Sequence, residues 1–563
     1  MLKRLMRQLL RARGAPGAEL IARGRAERER GELAASLASL EAALQHDAKD
    51  AAVLAELGLT YRVLGRRDEA RAAFERAVAG DPGSALALMY LGNLDHEAGR
   101  LDDAAKAYRA ALAIDAKNAA VHYNLALTLM SLGEASAAVE SFRLCLAQAP
   151  DYADARSSLL FALNLSDSAR PEDSAAEHFE WGRRVADPLY SERDFSNSPD
   201  PERRLRVGYV SADYFQHAAA TFIHAFLARH DPRQCEVFCY VNAAIPAHRA
   251  GMYGHTWREI RMLDDAQLAV LIAQDAIDVL VDLSGHTYGT RLLAFARKPA
   301  PVQMTFLGYP NTTGMRAMDY RLTDVYADPP GVSESRYREK LLRMPHSVWC
   351  FRPHVEGVPE VGTLPAIRNG YVSFASMNGV SKLNVELVGL WADLLRRVAD
   401  ARLILATIAP GSARERILRT FTGKGVDAQR IEFRDRLPRG EFLALHNEVD
   451  IALDSYPCNG GATTCDTLWQ GVPVISLAGA AFQSRAGLSL LSSAGLPQLV
   501  AHSAADYLDI ASSLAQNRER LSELRLGLRQ ILRDSPLMDA AAFARDLEAL
   551  YRDAWRDWCG ERT

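Results

Sequence analysis

Cysteine is sparse in this 563-residue sequence: seven residues, an odd number, with no Cys-x-x-Cys pair. That usage supports neither a disulfide framework nor a zinc ribbon. No Asp-x-Asp, His-Glu-x-x-His or clustered His/Cys set occurs, so a divalent-metal site for a nucleotide diphosphate has no support and no cofactor is expected. Gly-Lys-Ser/Thr is missing too, which removes a Walker-type phosphate loop. Charge of one sign is absent overall: 66 Lys and Arg face 70 Asp and Glu, a formal net charge of −4, so nothing draws the whole chain to nucleic acid. Long apolar runs are missing as well. The best, 268–283, is broken by Asp275, Asp278 and Asp282, and Leu9–Leu10 is no secretory core, so neither a span nor a leader is expected and the cytoplasm is the expected compartment. One local exception stands out. Residues 1–30 carry nine Lys or Arg against three Asp or Glu, and 1–13 interleave Leu2, Leu5, Met6, Leu9 and Leu10 with basic residues. This reads as an amphipathic helix for a membrane or protein surface, or, more simply, as a frayed basic terminus without membrane contact.

What is present is a period of 34 over residues 51–150. Leu54, Leu88 and His122 fall in step, as do Leu57, Leu91 and Leu125, then Gly58, Gly92 and Ala126. Ala70, Ala104 and Ala138 follow, then Phe74, Tyr108 and Phe142, then Ala77, Ala111 and Cys145. Each unit closes on Pro82, Ala116 or Pro150. The pattern resembles the tetratricopeptide repeat, a helical hairpin whose small residues admit a neighbouring aromatic. Such units cannot bury their apolar faces alone and stack into a superhelix with an inner groove, so a polypeptide partner is expected. Leu20, Gly24, Gly31, Leu40 and Ala43 fit a degenerate first unit. Leu159, Leu160 and Leu163 fit one further helix, which sets the repeats at 17–165 behind a basic segment 1–16.

Residues 166–204 are rich in Ser, Asp, Arg, Asn and Pro and read as a linker with one helix near Phe179. Beyond it, short apolar runs alternate with helix-length amphipathic segments. One set of expected strands is 205–210, 236–241, 277–283 and 302–307; a second is 371–375, 402–408, 431–433, 449–453 and 473–477. Runs buried on both faces suit parallel sheets, and strand–helix alternation implies two doubly wound halves, 205–355 and 356–563, with a ligand at their strand ends.

Five strand ends carry candidate chemistry. After the expected strand 449–453, Gly460 and Gly461 allow close backbone approach, and Thr463 and Thr464 begin a helix whose N-terminus suits phosphate. Asp466 suits either sugar hydroxyls or the helix dipole. Lys382, at the head of another helix, opposes the local dipole, which makes sense beside an anion; a surface lysine is the plainer alternative. His217 ends the 205–210 strand, where histidine serves proton transfer or orientation, or simply meets solvent. Gly285-His-Thr287 and the 307–314 loop end two further strands of the same sheet.

Repeats, linker and motifs, in this order, resemble the O-linked N-acetylglucosamine transferase family and its relatives, the SPINDLY-type O-fucosyltransferases. The specific stretches are GYVSADYFQH (208–217), GHTYGTR (285–291), RKPAPVQMTFLGYPNTTG (297–314), MDYRLTD (318–324) and DSYPCNGGATTCDTLWQGVPVISLAG (454–479). The resemblance implies a tetratricopeptide superhelix followed by two facing Rossmann-like halves of the GT-B type. It implies metal-independent, inverting transfer of a sugar from a nucleotide diphosphate to Ser or Thr hydroxyls of polypeptides. By motif, Lys382 matches the lysine that stabilises the leaving diphosphate, Asp466 the ribose contact, and Gly461, Ala462 and Thr463 the phosphate loop. Leu437 and Arg439 match base and diphosphate contacts, His217 the active-site histidine, and Gly308 to Pro310 the wall beside the donor sugar. Departures concern the donor. Gly461 and Ala462 replace the His-Thr of animal enzymes, Gly379 and Ser381 replace their Gln and Tyr, and GHT, NTTG and ADPP (327–330) are closer to the plant fucosyltransferases. UDP-N-acetylglucosamine is favoured and GDP-fucose is the alternative. A non-catalytic repeat scaffold that senses nucleotide sugar belongs to a different class and stays open.

Overall fold

The computed structural model describes residues 16–192, 194–215, 217–249, 251–353 and 357–561; the basic segment 1–13 lies outside the described residues. They form two compact units that divide between Ala155 and Arg156.

The first unit is four helical hairpins: Pro16–Glu29 with Leu33–Leu44, Ala51–Val63 with Arg67–Gly80, Ala85–Glu97 with Leu101–Ile114, and Ala119–Ser131 with Ala135–Gln148. The 34-residue period has a steric cause. Phe74, Tyr108 and Phe142 are buried, and a Cβ added to Gly58 or Gly92 would stand 2.6 Å from a ring carbon of Phe74 or Tyr108. The small residue is the socket for the ring. Gly24 faces Leu40 in the same way in the first hairpin, with Leu40 Cγ 2.7 Å from the added Cβ. Two more periodicities of 34 emerge. Asp50, Ser84 and Asn118 cap successive helices with their side chains, each supplying an acceptor to an orphan first-turn N–H. Gly31, Gly65, Gly99 and Gly133 all turn with φ between 74° and 79°, a left-handed conformation that glycine adopts without strain.

The second unit holds two all-parallel sheets. The first has seven strands: β1 Leu205–Ser211, β2 Cys235–Val241, β3 Thr256–Glu259, β4 Val279–Asp282, β5 Val302–Thr305, β6 Tyr320–Thr323 and β7 Lys340–Arg343, ordered β3-β2-β1-β4-β5-β6-β7. The second has six: β8 Ser373–Ser376, β9 Arg402–Leu405, β10 Ile431–Phe433, β11 Ile451–Leu453, β12 Val474–Leu477 and β13 Val500–Ala501, ordered β10-β9-β8-β11-β12-β13. In each sheet the order reverses once, between β1 and β4 and between β8 and β11, the point where doubly wound sheets open a crevice. Four strands lie outside the expected set. β3 (TWRE) and β7 (KLLR) are part-exposed edges bearing charge, β6 buries an arginine, and β13 is two residues long, so none shows an uninterrupted apolar run.

One apolar core runs through both halves by way of Trp349, Phe351 and Leu537. The helix Ala540–Gly560 returns to the first sheet. There Tyr551 and Tyr209 hydroxyls meet at 3.0 Å, His230 Nδ1 donates to Glu548 Oε1 at 2.8 Å, and Trp555 Nε1 donates to Asp200 O at 3.0 Å. The segment 166–204 contains the helix Pro171–Trp181, and the boundary of the compact units falls inside the helix Ala153–Leu165.

Candidate active site

The carboxyl ends of β8 and β11 bring a lysine, a buried carboxylate and two glycines together. Lys382 Nζ donates to Asn459 O at 2.6 Å. It stands in a short 3-10 turn, Val380–Lys382, and the following helix begins only at Val385, capped by Asn384. Lys382 therefore does not open that helix, as the sequence suggested, but hangs from the loop ahead of it and reaches across to the β11 loop. Asp454, buried at the end of β11, organises that loop. Its carboxylate accepts from Ser455 N at 2.8 Å, Gly460 N at 2.7 Å and Ser476 Oγ at 2.7 Å. Burial raises its pKa, opposed by the Gly460 and Ser476 bonds and by the Lys382 charge. Asn459 closes the turn: Nδ2 donates to Ser455 O at 2.7 Å, and Oδ1 accepts from Gly487 N at 3.2 Å.

Gly460 must be glycine because a Cβ there would lie 2.5 Å from Thr464 Oγ1 and 3.1 Å from Asp454 Oδ1. The helix Ala462–Trp469 starts at Gly461, which supplies no side-chain cap. Its first-turn N–H groups and its dipole thus face the mouth that Lys382 borders, an arrangement suited to a diphosphate. Thr463 is half-buried and Thr464 buried at this end. Asp466 is the fifth residue of the helix, just past its first turn, and is buried. Arg439, first residue of the helix Arg439–Leu445, pairs with Asp466 at 2.8 Å. Leu437, two residues before it, packs on the core.

In the first half, His217 follows β1 on a loop pinned by Tyr214, whose hydroxyl donates to Tyr209 O at 2.9 Å. The His217 side chain is 56% exposed and stands 3.7 Å from Asp213 Oδ2; its Nδ1 accepts from Ala219 N at 3.2 Å. Burial raises the Asp213 pKa while His217 opposes the rise. Beyond β5, Gly308 presses on the main chain of β4's loop, since a Cβ there would fall 1.9 Å from Leu283 O. Main-chain oxygens on either side of Pro310 are held by buried Arg321, at 3.0 Å from Tyr309 O and 2.7 Å from Asn311 O. Buried Glu339 accepts from Thr312 Oγ1 at 2.5 Å and Thr313 N at 2.7 Å.

The expected residues thus assemble as three groups: Lys382 with the Gly461, Ala462 and Thr463 turn; Arg439 with Asp466; and Gly308 with Pro310 at the end of β5. His217 bonds within its own loop. Sequence reasoning passed over Asp454, Asn459 and Arg321. Asp454 carried a signal, an acidic residue closing an apolar strand six positions before a Gly-Gly pair. Arg321, inside a short strand, carried none.

Parallel sheets with facing carboxyl ends, one bearing a lysine over an uncapped helix N-terminus, define a two-domain α/β protein of the GT-B type behind a tetratricopeptide array. The chain belongs to glycosyl transferase family 41, whose profile matches residues 187–357 and 364–547; tetratricopeptide-repeat profiles match 21–85, 92–133 and 119–152. A relative from Solanum lycopersicum, described as a probable UDP-N-acetylglucosamine–peptide N-acetylglucosaminyltransferase SPINDLY, is 36% identical over 423 residues, 73% of this chain and 45% of the relative. The corresponding SEC protein of Arabidopsis thaliana is 30% identical over 370 residues, 63% of this chain and 38% of the relative. The chain therefore spans about half the length of these curated relatives. A solved lysine-to-methionine mutant of Thermobaculum terrenum O-GlcNAc transferase superposes with a TM-score of 0.81 at 37% identity, covering 92% of this chain and 99% of that one.

Proposed function

We propose that this chain is a protein O-glycosyltransferase that moves N-acetylglucosamine from UDP-N-acetylglucosamine to Ser and Thr hydroxyls, with inversion and without a metal. The observation that carries the reading is Lys382 held 2.6 Å from Asn459 O at the uncapped start of the Ala462–Trp469 helix. A fixed cation and a helix terminus there meet the charge that grows on a departing diphosphate, which is the work a divalent ion does elsewhere. The likeness over 92% of the chain to an O-GlcNAc transferase and the descriptions of the SPINDLY and SEC relatives support the same donor.

In this reading residues 205–355 border acceptor and sugar, 356–563 hold the nucleotide, with Asp466 and Arg439 at the ribose and diphosphate and Leu437 at the base, and 17–165 guide the polypeptide. His217 acts as an orienting group. Its Nδ1 accepts from Ala219 N, so the hydrogen of the neutral ring sits on Nε2, which offers a donor and not a base. No helix among the described residues is long and apolar enough to cross a membrane, and the described cysteines are unpaired, which supports a cytoplasmic setting.

The test is transfer of labelled sugar to a protein lysate by the purified chain. Label from UDP-N-acetylglucosamine and not from GDP-fucose is expected. Transfer from GDP-fucose alone would reassign the donor. Nucleotide binding with no turnover from either donor would favour a sensor.

A further inference from the structure

The 307–314 loop has no regular structure, yet it rests on a chain of buried polar groups whose hydrogens can be placed. His178 is fully buried, and burial, helped by neighbouring His286, pushes its pKa down to about 3, so the ring is neutral with one N–H. Nδ1 lies 2.6 Å from Ser174 O, which can only accept, so the hydrogen sits on Nδ1. Nε2 is then the acceptor, and its partner at 2.7 Å, the Tyr309 hydroxyl, donates. The Tyr309 oxygen in turn accepts from Asn164 Nδ2 at 2.9 Å. Asn164 Oδ1 accepts from Asn311 Nδ2 at 3.0 Å. Each member has one satisfied direction, and all are buried.

Two glycines close the same joint. A Cβ on Gly182 would fall 1.7 Å from Gly314 O, and one on Gly314 would fall 2.0 Å from His178 O. The other face of the loop is taken by Arg321 and Glu339, described above. Pro310 is therefore gripped from both sides by residues that precede β1 in sequence and by residues that follow β5. A wall fixed in this way needs no reordering when charge and geometry change at the reacting carbon, whereas a loop free to move would spend binding free energy on being ordered.

We propose that Asn164, Tyr309 and His178 form a positioning relay that holds Gly308 and Pro310 against the sugar of the bound donor. Residues 156–182, which read from sequence as the end of the repeats and a linker, then set the rate of transfer without touching the nucleotide. The inference rests on the reading that 307–314 borders the donor sugar.

Tyr309→Phe removes one oxygen from the relay and keeps the ring that fills the core; Asn164→Ala removes the donor on the other side. For both, the affinities for UDP and for UDP-N-acetylglucosamine are measured by calorimetry, with kcat at saturating donor and the melting temperature beside them. The expected result is UDP affinity within twofold of the unaltered chain, a Kd ratio of nucleotide sugar to nucleotide raised at least threefold, and kcat lowered at least fivefold. An unchanged ratio with unchanged kcat overturns the relay even if the melting temperature drops, since the bonds are then purely structural. Equal weakening of UDP and UDP-N-acetylglucosamine also overturns it. An unaltered chain that binds both ligands but transfers nothing defeats the functional reading alone, because the ratio still decides the relay; one that binds neither defeats both.

Discussion

Lys382 Nζ and the main-chain oxygen of Asn459, 2.6 Å apart, join the loops after β8 and β11 into one mouth. The cation is parked on a carbonyl it can release to a stronger acceptor, while Asp454 beneath keeps the loop shape through Gly460. Removing the cation should therefore act on the leaving group far more than on the fold. Lys382→Met is expected to lower kcat about 10²- to 10³-fold, the usual loss of a charge-stabilising donor, with UDP affinity changed less than tenfold. Unaltered turnover in this variant would remove the leaving-group role.

Two glycines of this mouth should respond unequally to an added methyl group. At Gly460 a Cβ meets Thr464 Oγ1 at 2.5 Å, whereas at Gly379 nothing lies within 4 Å. Gly460→Ala is expected to weaken UDP binding at least tenfold and to cost about 1–3 kcal/mol of stability through overpacking. Gly379→Ala should bind within twofold of the unaltered chain. Calorimetric titration of both variants with UDP separates the cases, and equal behaviour would mean that the tight turn at 460 does not shape the site.

Arg439 and Asp466 should be energetically coupled. Asp466 is buried and Arg439 half-exposed, with their charged atoms 2.8 Å apart. Arg439→Ala leaves a buried carboxylate without its cation, and, because water screens the outer partner, a loss of about 1–2 kcal/mol is expected. Adding Asp466→Asn should recover part of it. A double-mutant cycle in urea reads the coupling, and simple additivity of the two losses would dissolve the pair.

Stability should fall as the solution is acidified below about pH 6.5. Burial depresses the pKa of His178 to about 3 and of His286 and His446 to about 4. The unfolded chain takes up these protons first, so the stability of the neutral rings is complete above the unfolded value and is lost as pH falls towards about 4. Each ring contributes a slope of about 1.4 kcal/mol per pH unit across that window. Asp282 opposes them. Burial raises its pKa to about 6, so its contribution is present at low pH and lost as pH rises from about 4 through 6. Asp213, Asp319, Asp450 and Asp454, raised by burial, act in the same sense as Asp282, while His96, His224 and His255, lowered by burial, add to the three rings. The histidines titrate in the window from about 6.5 downwards, and the melting temperature is expected to drop between about pH 6.5 and 4.5. His446→Gln should flatten the profile; an unchanged slope would contradict the buried neutral ring at that position.

The repeats were legible in the sequence because their cause is local and periodic. A small residue faces a ring, or Leu40 in the first hairpin, once per period, and Gly58 beneath Phe74 is as visible in the letters as in the fold. Strands flanked on both sides, such as β1 and β4, announced themselves as apolar runs, while β6 did not, since Arg321 sits inside it and finds its carbonyls in a loop ten and twelve positions away. The residues of the mouth around Lys382 were named through a family resemblance. The way Asp454, Asn459 and Lys382 hold one another was not readable, because it depends on two loops about 75 positions apart meeting in space. Tyr309 was named only as part of the 308–310 wall, and its bonds to Asn164 and His178 were not readable for the same reason, since the segment carrying those two was read as repeat end and linker.

The helix Ala540–Gly560 has a consequence for how the protein is made. Tyr551 and Glu548 complete the surroundings of Tyr209 and His230, more than 300 positions earlier. During synthesis the first sheet emerges with that flank open, and it stays open until the helix Ala540–Gly560 has left the ribosome. For that interval the nascent chain exposes apolar surface around Phe226 and Phe306, where Phe543 later packs, the kind of transient exposure that favours aggregation. Truncation within 540–560 should accordingly yield an aggregating chain in place of a smaller folded one.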